Sequence, residues 1–319
     1  MSETLEDFSL GKRPKTKGMI HKVGVVGCGA VGQEITRTVS EYGIDVIFLD
    51  LTEERVQDAI VQISAQLDET INHWGLTPGE KRAILSRIKG TTEYSDLADC
   101  DLVIESISSR KKGTSLEIRK EIFKNIEAVV RQDAIISSNI VTLMISDLSS
   151  VLKHPERAIG IHFILPINKS NVVEIVKGIN SSDEAFEQAA KFAGMINKKI
   201  IRLNESPGNI VTRMLVTTIN EACEILMEGV ASVSDIDMAM RESGYLFGPF
   251  EMADRIGLDK VLKYMDNLYQ EFGDKQYKPS PIIKRLVRAN YLGRITGRGF
   301  YNYKSGRPVD QTVTCAVIK

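Results

Sequence analysis

No apolar run in this 319-residue chain approaches the roughly 20 residues that a membrane-spanning helix requires, and the N-terminus lacks a secretory apolar core. Membrane and secreted classes are set aside, and the cytoplasm is the expected location. Cysteine is scarce. Cys28, Cys100, Cys223 and Cys315 are scattered without Cys-x-x-Cys spacing, so they read as free thiols, and neither a disulfide framework nor a metal site is expected. Neither sign of charge is in excess: 41 basic against 42 acidic residues leave a net −1, so no global field draws nucleic acid or an anionic membrane. Any anionic ligand must be held locally. Lys12, Arg13, Lys15 and Lys17 lie near the N-terminus, but Glu3, Glu6 and Asp7 speak against a transit peptide. A flexible tail over residues 1–20 is expected. Internal repeats and low-complexity tracts are absent as well. What remains is 43% hydrophobic residues in a chain long enough for two domains.

The stretch Lys22-Val-Gly-Val-Val-Gly-Cys-Gly-Ala-Val-Gly32 runs an apolar strand into G-x-G-x-x-G and then into a helical pattern. Gly27 permits the tight turn, Gly29 lets a pyrophosphate approach the backbone, and Gly32 lets the helix pack close to the strand. Ala30 and Val31 complete the turn, whose free N–H groups at the helix N-terminus suit phosphates. The context is that of a βαβ unit: helix Gln33–Tyr42, Gly43, strand Asp45–Leu49, then Asp50, 23 residues after Gly27. A carboxylate there accepts from both adenosine ribose hydroxyls and repels a 2′-phosphate, so the expected cofactor is NAD.

The rest of the chain extends an α/β pattern. Helices are expected at Thr52–Asn72, Pro78–Ile88 and Leu116–Val130, and strands at Leu102–Ile104, Ala134–Ile136, Ala158–His162 and Val172–Val176. Helix Asp183–Met195, capped by Ser182, and strand Lys198–Leu203 close the unit. The expectation is a Rossmann-type doubly wound parallel sheet over residues 21–205, bounded at Ser206-Pro-Gly208. Helices alone follow over 206–303, at Ile210–Glu228, Ser234–Ser243, Glu251–Phe272 and Pro281–Ala289. Their apolar content exceeds what a small bundle buries, which points to a homodimer through this all-α domain. The tail 304–319 shows no clear period.

Within Val172-Val-Glu-Ile-Val176 one carboxylate interrupts an apolar strand, and burying it unpaired would cost several kcal/mol. His162, ending the preceding strand, is the best candidate partner. A glutamate holding one imidazole nitrogen fixes the tautomer and leaves the other to take a proton from an alcohol. The same two residues are equally compatible with an edge-strand glutamate and a solvated histidine.

His162-Phe-Ile-Leu-Pro166, Glu174 after Asn-Val-Val, Ser206-Pro-Gly208, Gly248-Pro-Phe-Glu251 and Thr296-Gly-Arg-Gly-Phe-Tyr301 resemble, in order, the signatures of the 3-hydroxyacyl-CoA dehydrogenase family, from about Val23 to Tyr303. The resemblance implies NAD-dependent oxidation of the L-3-hydroxyl of an acyl thioester. It makes His162 the general base, Glu174 its orienting partner and Glu105 a neighbour of the nicotinamide ribose, with a dimer formed through the C-terminal domain.

The departures from that pattern lie on the substrate side. Where the family reads S-N-T-S-S-L, this chain reads Ser138-Asn-Ile-Val-Thr-Leu143, placing Val141 at a serine that touches substrate. Thr212 stands for a substrate-binding asparagine, and Leu165 for an asparagine beside the nicotinamide. Residues 106–115 carry a basic insertion; Arg110-Lys-Lys112 reads first as a solvated loop, second as a contact for phosphates of CoA or phosphopantetheine. Losing such hydrogen bonds costs roughly 1–3 kcal/mol each, so an altered acyl-CoA or acyl-carrier-protein thioester is expected, for example a glyceryl group on a carrier protein. Alternatives are a catalytically silent NAD-binding scaffold or sensor, and a dehydrogenase of a free hydroxy acid.

Overall fold

In the computed structural model the described residues are 19–73, 75–107, 115–304 and 307–311. The expected tail over 1–20 falls almost wholly outside them, as do Arg110-Lys-Lys112 and Cys315. The chain divides into two compact units after Glu205.

The first unit runs β1 (Lys22–Val26), α1 (Ala30–Glu41), β2 (Asp45–Leu49), α2 (Glu53–Asn72), α3 (Pro78–Ser86), β3 (Ile88–Thr91), β4 (Leu102–Glu105), α4 (Ser115–Val129), β5 (Ile135–Ser138), α5 (Ile145–Ser149), β6 (Ala158–Phe163), β7 (Val172–Lys177), α6 (Asp183–Met195) and β8 (Lys199–Asn204). Its helices begin where side chains satisfy their free N–H groups. Thr52 accepts from Arg55, Ser182 accepts from Ala185, and Thr77 with Glu80 forms a reciprocal capping box around Pro78. The strands form one eight-stranded sheet in the order β3-β2-β1-β4-β5-β6-β7-β8. Its first six strands have the dinucleotide-fold order, which reverses between β1 and β4 and opens a crevice there at the carboxyl ends.

Alternation along the strands splits the core in two. Val23, Val25, Phe48, Ile161, Phe163 and Val173 pack with α1, α2 and α6, whereas Val26, Ile47, Val103 and Ile136 pack with α4 and α5. Central strands buried on both faces read as unbroken apolar runs, as Leu102–Ile104 of β4 does. Phe48, Phe163 and Phe192 are wholly buried, and each contributes about 1.5–3 kcal/mol of transfer free energy.

Three expectations are corrected. The sheet is not wholly parallel: β7 pairs antiparallel with β6, and β8 runs parallel to β7, so the last two strands oppose the first six. Only the eight residues 164–171 separate β6 from β7, too few for a parallel crossover. The helix expected to reach Ile88 ends at Ser86, and Ile88 starts edge strand β3 beside β2. In the second unit the single helix expected over Glu251–Phe272 is two.

That unit comprises α7 (Val211–Met227), α8 (Val233–Glu242), α9 (Pro249–Ile256), α10 (Leu258–Phe272), α11 (Pro281–Arg288) and the hairpin β9 (Tyr301–Lys304) with β10 (Arg307–Gln311). A fourth expectation is corrected as well: residues 301–303, expected within a stretch of helices alone, and residues 307–311, read from sequence as part of a tail without period, are strands. Gly257, at φ 100°, separates α9 from α10. Val216, Ile219, Cys223 and Leu226 of α7 meet Val261, Met265 and Leu268 of α10 in the core.

Two buried aspartates anchor the two motifs of this unit. Asp237 accepts from the N–H groups of Phe250 and Glu251, at 2.9 Å each, and from the Tyr301 hydroxyl at 2.9 Å. Asp254 accepts from Phe300 N–H at 2.9 Å and from Tyr301 N–H and the Tyr303 hydroxyl, at 3.0 Å each. Burial pushes the Asp254 carboxyl up to about 6, against the lowering effect of those donors. A Cβ at Gly248 would sit 2.2 Å from Asp237 Cγ, and one at Gly299 2.0 Å from Asp254 Oδ1. The Gly-Pro-Phe-Glu motif, which caps and starts α9, and the Thr-Gly-Arg-Gly-Phe-Tyr motif, which leads into β9, are therefore seated on buried carboxylates.

Candidate active site

The glycine turn lies between β1 and α1, at the reversal of strand order. Gly27 has φ 92°, and a Cβ there would meet Ile107 Cγ2 at 2.7 Å. A Cβ at Gly32 would lie 2.1 Å from Gly27 O, so the helix can start this close to the turn only with glycine at both positions. Gly29 caps helix α1 without a side-chain bond, and Gln33 N–H makes the first internal bond, to Gly29 O at 2.9 Å. The N–H groups of Ala30, Val31 and Gly32 are thereby left for a ligand. Gly29 and Ala30 are exposed, and a Cβ on Gly29 would meet nothing within 4 Å. An open backbone cradle at a helix N-terminus fits a pyrophosphate.

Asp50 follows the end of β2. Its Oδ2 accepts from Cys28 N–H at 2.9 Å and its Oδ1 from Leu51 N–H at 2.8 Å, which ties the carboxylate to the turn. Arg55 Nη1 stands 3.5 Å from Oδ1 on an exposed side chain, a contact worth little by itself. A fixed carboxylate beside the cradle fits the ribose diol of NAD. Cys28 is buried within the turn, and burial pushes its thiol up to about 12.

His162 and Glu174 face each other directly in the antiparallel register of β6 and β7. Opposed residues on such a pair project from the same face, and the His162 Nδ1–H donates to Glu174 Oε2 at 2.6 Å. The reversal of β7 is thus what brings together two residues twelve apart. Glu174 is fully buried and His162 partly exposed. The carboxylate acceptor fixes the proton on Nδ1 and leaves the Nε2 lone pair for a proton in transit.

Glu105, at the end of β4, is fully buried and fully engaged. Its Oε1 accepts from Ile107 N–H at 2.6 Å and ion-pairs with Arg119, and its Oε2 accepts from the Ser138 hydroxyl at 2.6 Å. Ser138 in turn accepts from Ile140 N–H at 3.1 Å. Val141 is buried nearby in sequence, and Leu165, beyond β6, is half exposed. Thr212 belongs to the second unit, buried in the first turn of α7. Sequence reading missed Asn139, whose Oδ1 accepts from Phe163 N–H at 2.9 Å and so pins the strand end that carries His162. It also missed Glu34 and Lys198. Glu34 on α1 accepts from Ile167 N–H at 2.9 Å, and Lys198 Nζ donates to Ile167 O at 2.6 Å, holding the loop after β6. Glu34 had one available signal, a carboxylate two residues beyond Gly32; Asn139 had none beyond its strand-end position.

Glycine turn and strand order define a dinucleotide-binding fold, and the family matches make it that of an NAD-dependent oxidoreductase. Residues 22–206 match the family model for the NAD binding domain of 3-hydroxyacyl-CoA dehydrogenase, and residues 208–303 match that for its C-terminal domain. The chain belongs to the 3-hydroxyacyl-CoA dehydrogenase family. It is 37% identical over 292 residues to a 3-hydroxybutyryl-CoA dehydrogenase of Bradyrhizobium diazoefficiens, covering 91% of this chain and 98% of that one. A 3-hydroxybutyryl-CoA dehydrogenase of Clostridioides difficile is 36% identical, over 88% of this chain and 99% of its own length. The crystal structure of the (S)-3-hydroxybutyryl-CoA dehydrogenase of Ralstonia eutropha superposes with a TM-score of 0.82 at 36% identity, over 90% of this chain and 100% of that one. No helix among the described residues is long and apolar enough to cross a membrane, and no group of metal-ligating side chains occurs among them.

Proposed function

We propose that the protein interconverts a 3-hydroxyacyl thioester and its 3-oxo form, with His162 as general base and Glu174 as the residue that orients it. The observation carrying this reading is the 2.6 Å His162–Glu174 hydrogen bond on a sheet that also bears the dinucleotide cradle. NAD, when bound, supplies the hydride acceptor. In oxidation the substrate O–H bond gives its proton to His162 Nε2, the C3–H bond gives its electron pair and hydrogen as hydride, and a C3=O double bond forms. The products are the ketone, NADH and an imidazolium. Glu174 stabilises that imidazolium and holds the ring in the one tautomer that can accept.

Similarity to 3-hydroxybutyryl-CoA dehydrogenases supports a thioester substrate, and Val141, Thr212 and Leu165 support an acyl group or carrier different from theirs. Acyl-carrier-protein thioesters, glyceryl among them, are included in the proposal. The same three residues favour a second reading, an NAD-binding protein without turnover. A panel of acyl-CoA, acyl-carrier-protein and free hydroxy-acid substrates, followed by NADH absorbance, separates the two. Turnover is expected on a thioester, and 3-hydroxybutyryl-CoA is expected to be a poor substrate that Val141→Ser improves by about tenfold, one regained hydrogen bond. NADH from no member of the panel would sink the catalytic reading, and NADH from the free acids alone would sink the thioester.

We also propose a homodimer through the helical unit. Ile210, Met214, Val230, Met238, Tyr245 and Leu246 are exposed there, beside a groove of about 730 Å³ lined by Met214, Ile225 and Met240. Light scattering is expected to give twice the 35.5 kDa chain mass, and a monomer at micromolar concentration would contradict it.

A further inference from the structure

We propose that Arg119 is a positioning residue for the cofactor turn, closing with Glu105 a buried clasp on Ile107 that sets how tightly NAD is held. Arg119 sits on α4 with its side chain 4% exposed, and Glu105, its ion-pair partner, is 0% exposed. The two side chains hold opposite ends of one residue. Glu105 Oε1 accepts from Ile107 N–H at 2.6 Å, and Arg119 Nη2 donates to Ile107 O at 2.7 Å. Arg119 Nε also lies 3.4 Å from Ser115 Oγ, so one guanidinium ties together the strand end before residues 108–114 and the helix start after them.

Ile107 is the residue against which the glycine turn is built. A Cβ on Gly27 would approach its Cγ2 at 2.7 Å and its Cα at 2.9 Å, while the preceding Ser106 N–H donates to Val26 O at 2.8 Å, continuing the β1–β4 pairing. Displacement of Ile107 therefore reaches the cradle through direct contact. A buried ion pair is a poor source of stability, because desolvation offsets most of its attraction, and its better-attested use is to fix one registry. The acceptors on Glu105, Ile107 and Ser115 require a planar fork. A lysine ammonium supplies the charge but cannot reach all three in the same geometry.

The inference rests on the cofactor and not on the substrate reading, since NADH binding needs no substrate. The test is Arg119→Lys in the full-length protein, with NADH affinity by fluorescence titration, thermal midpoint, and KM for NAD against kcat at saturating NAD. The expected result is a folded variant that binds NADH about tenfold more weakly, the size of one lost charge-assisted hydrogen bond. KM for NAD should rise in parallel and kcat fall by less than about threefold, because His162 and Glu174 lie on other strands. A folded variant with NADH affinity within twofold of wild type overturns the proposal. Should Arg119→Lys fail to fold, Arg119→Gln takes its place, because its amide keeps a donor toward Glu105 and Ile107 and leaves Glu105 itself unaltered. The same affinity threshold then decides.

Discussion

Replacing His162 with alanine is expected to lower kcat for oxidation of the best thioester by about 10³-fold, within the range of 10²–10⁴ for loss of a general base. The affinity for NADH should stay within about twofold, because the cradle of Gly27, Gly29 and Gly32 is built from β1 and α1 and not from the histidine strand. Glu174→Gln provides the finer test. An amide oxygen can still accept from Nδ1–H, yet it lacks the charge that stabilises the imidazolium once the substrate proton has moved to Nε2. Its loss should therefore be substantial but smaller than that of His162→Ala. The double variant should lose little more than His162→Ala alone, since residues acting as one unit are not additive. Independent, multiplying losses in the two single variants would break the dyad account.

The second large effect concerns the cofactor. Asp50→Ala is expected to raise KM for NAD by about 30- to 100-fold, a net loss of about 2–2.7 kcal/mol, the scale of one charge-assisted hydrogen bond. Two losses coincide in this variant. The ribose hydroxyls would lose the acceptor proposed for them, and the Cys28 N–H, now held at 2.9 Å, is left without the carboxylate that fixes the turn. The same carboxylate repels a 2′-phosphate, so the preference for NAD over NADP should narrow in the variant even as both bind weakly. Steady-state kinetics with both cofactors checks this, and an unchanged NAD/NADP ratio would remove Asp50 from the specificity role.

Much of the first unit was legible because its physics is local. A strand, three glycines and a helix are read within a dozen residues, and Asp50 is placed by the length of one βαβ step. What sequence could not supply was strand direction: Val172–Val176 reads the same whether parallel or antiparallel to its neighbour, and only the short 164–171 connection argues for reversal. That reversal sets His162 opposite Glu174, so the most consequential contact depended on the least legible feature. Glu105 was legible as a position but not as a network, because Arg119 is fourteen residues away on a helix whose inward face carries no mark of charge pairing. In the second unit the two motifs were read as signatures, while Asp237 and Asp254, which hold them, sit in helices among apolar neighbours and look like ordinary surface acids. Ile88 was absorbed into a helical period because an edge strand of four residues is shorter than the window needed to see alternation.

The central claim is that hydride leaves the hydroxyl-bearing carbon of a thioester while His162 takes the proton. The most direct measurement uses the best substrate of the panel carrying deuterium at C3, with mass analysis of the reduced cofactor. Stoichiometric deuterium in NADH from the wild-type protein, with none formed by His162→Ala on the same timescale, is the result this account predicts. Unlabelled NADH, or labelled NADH formed at the wild-type rate by His162→Ala, would contradict it.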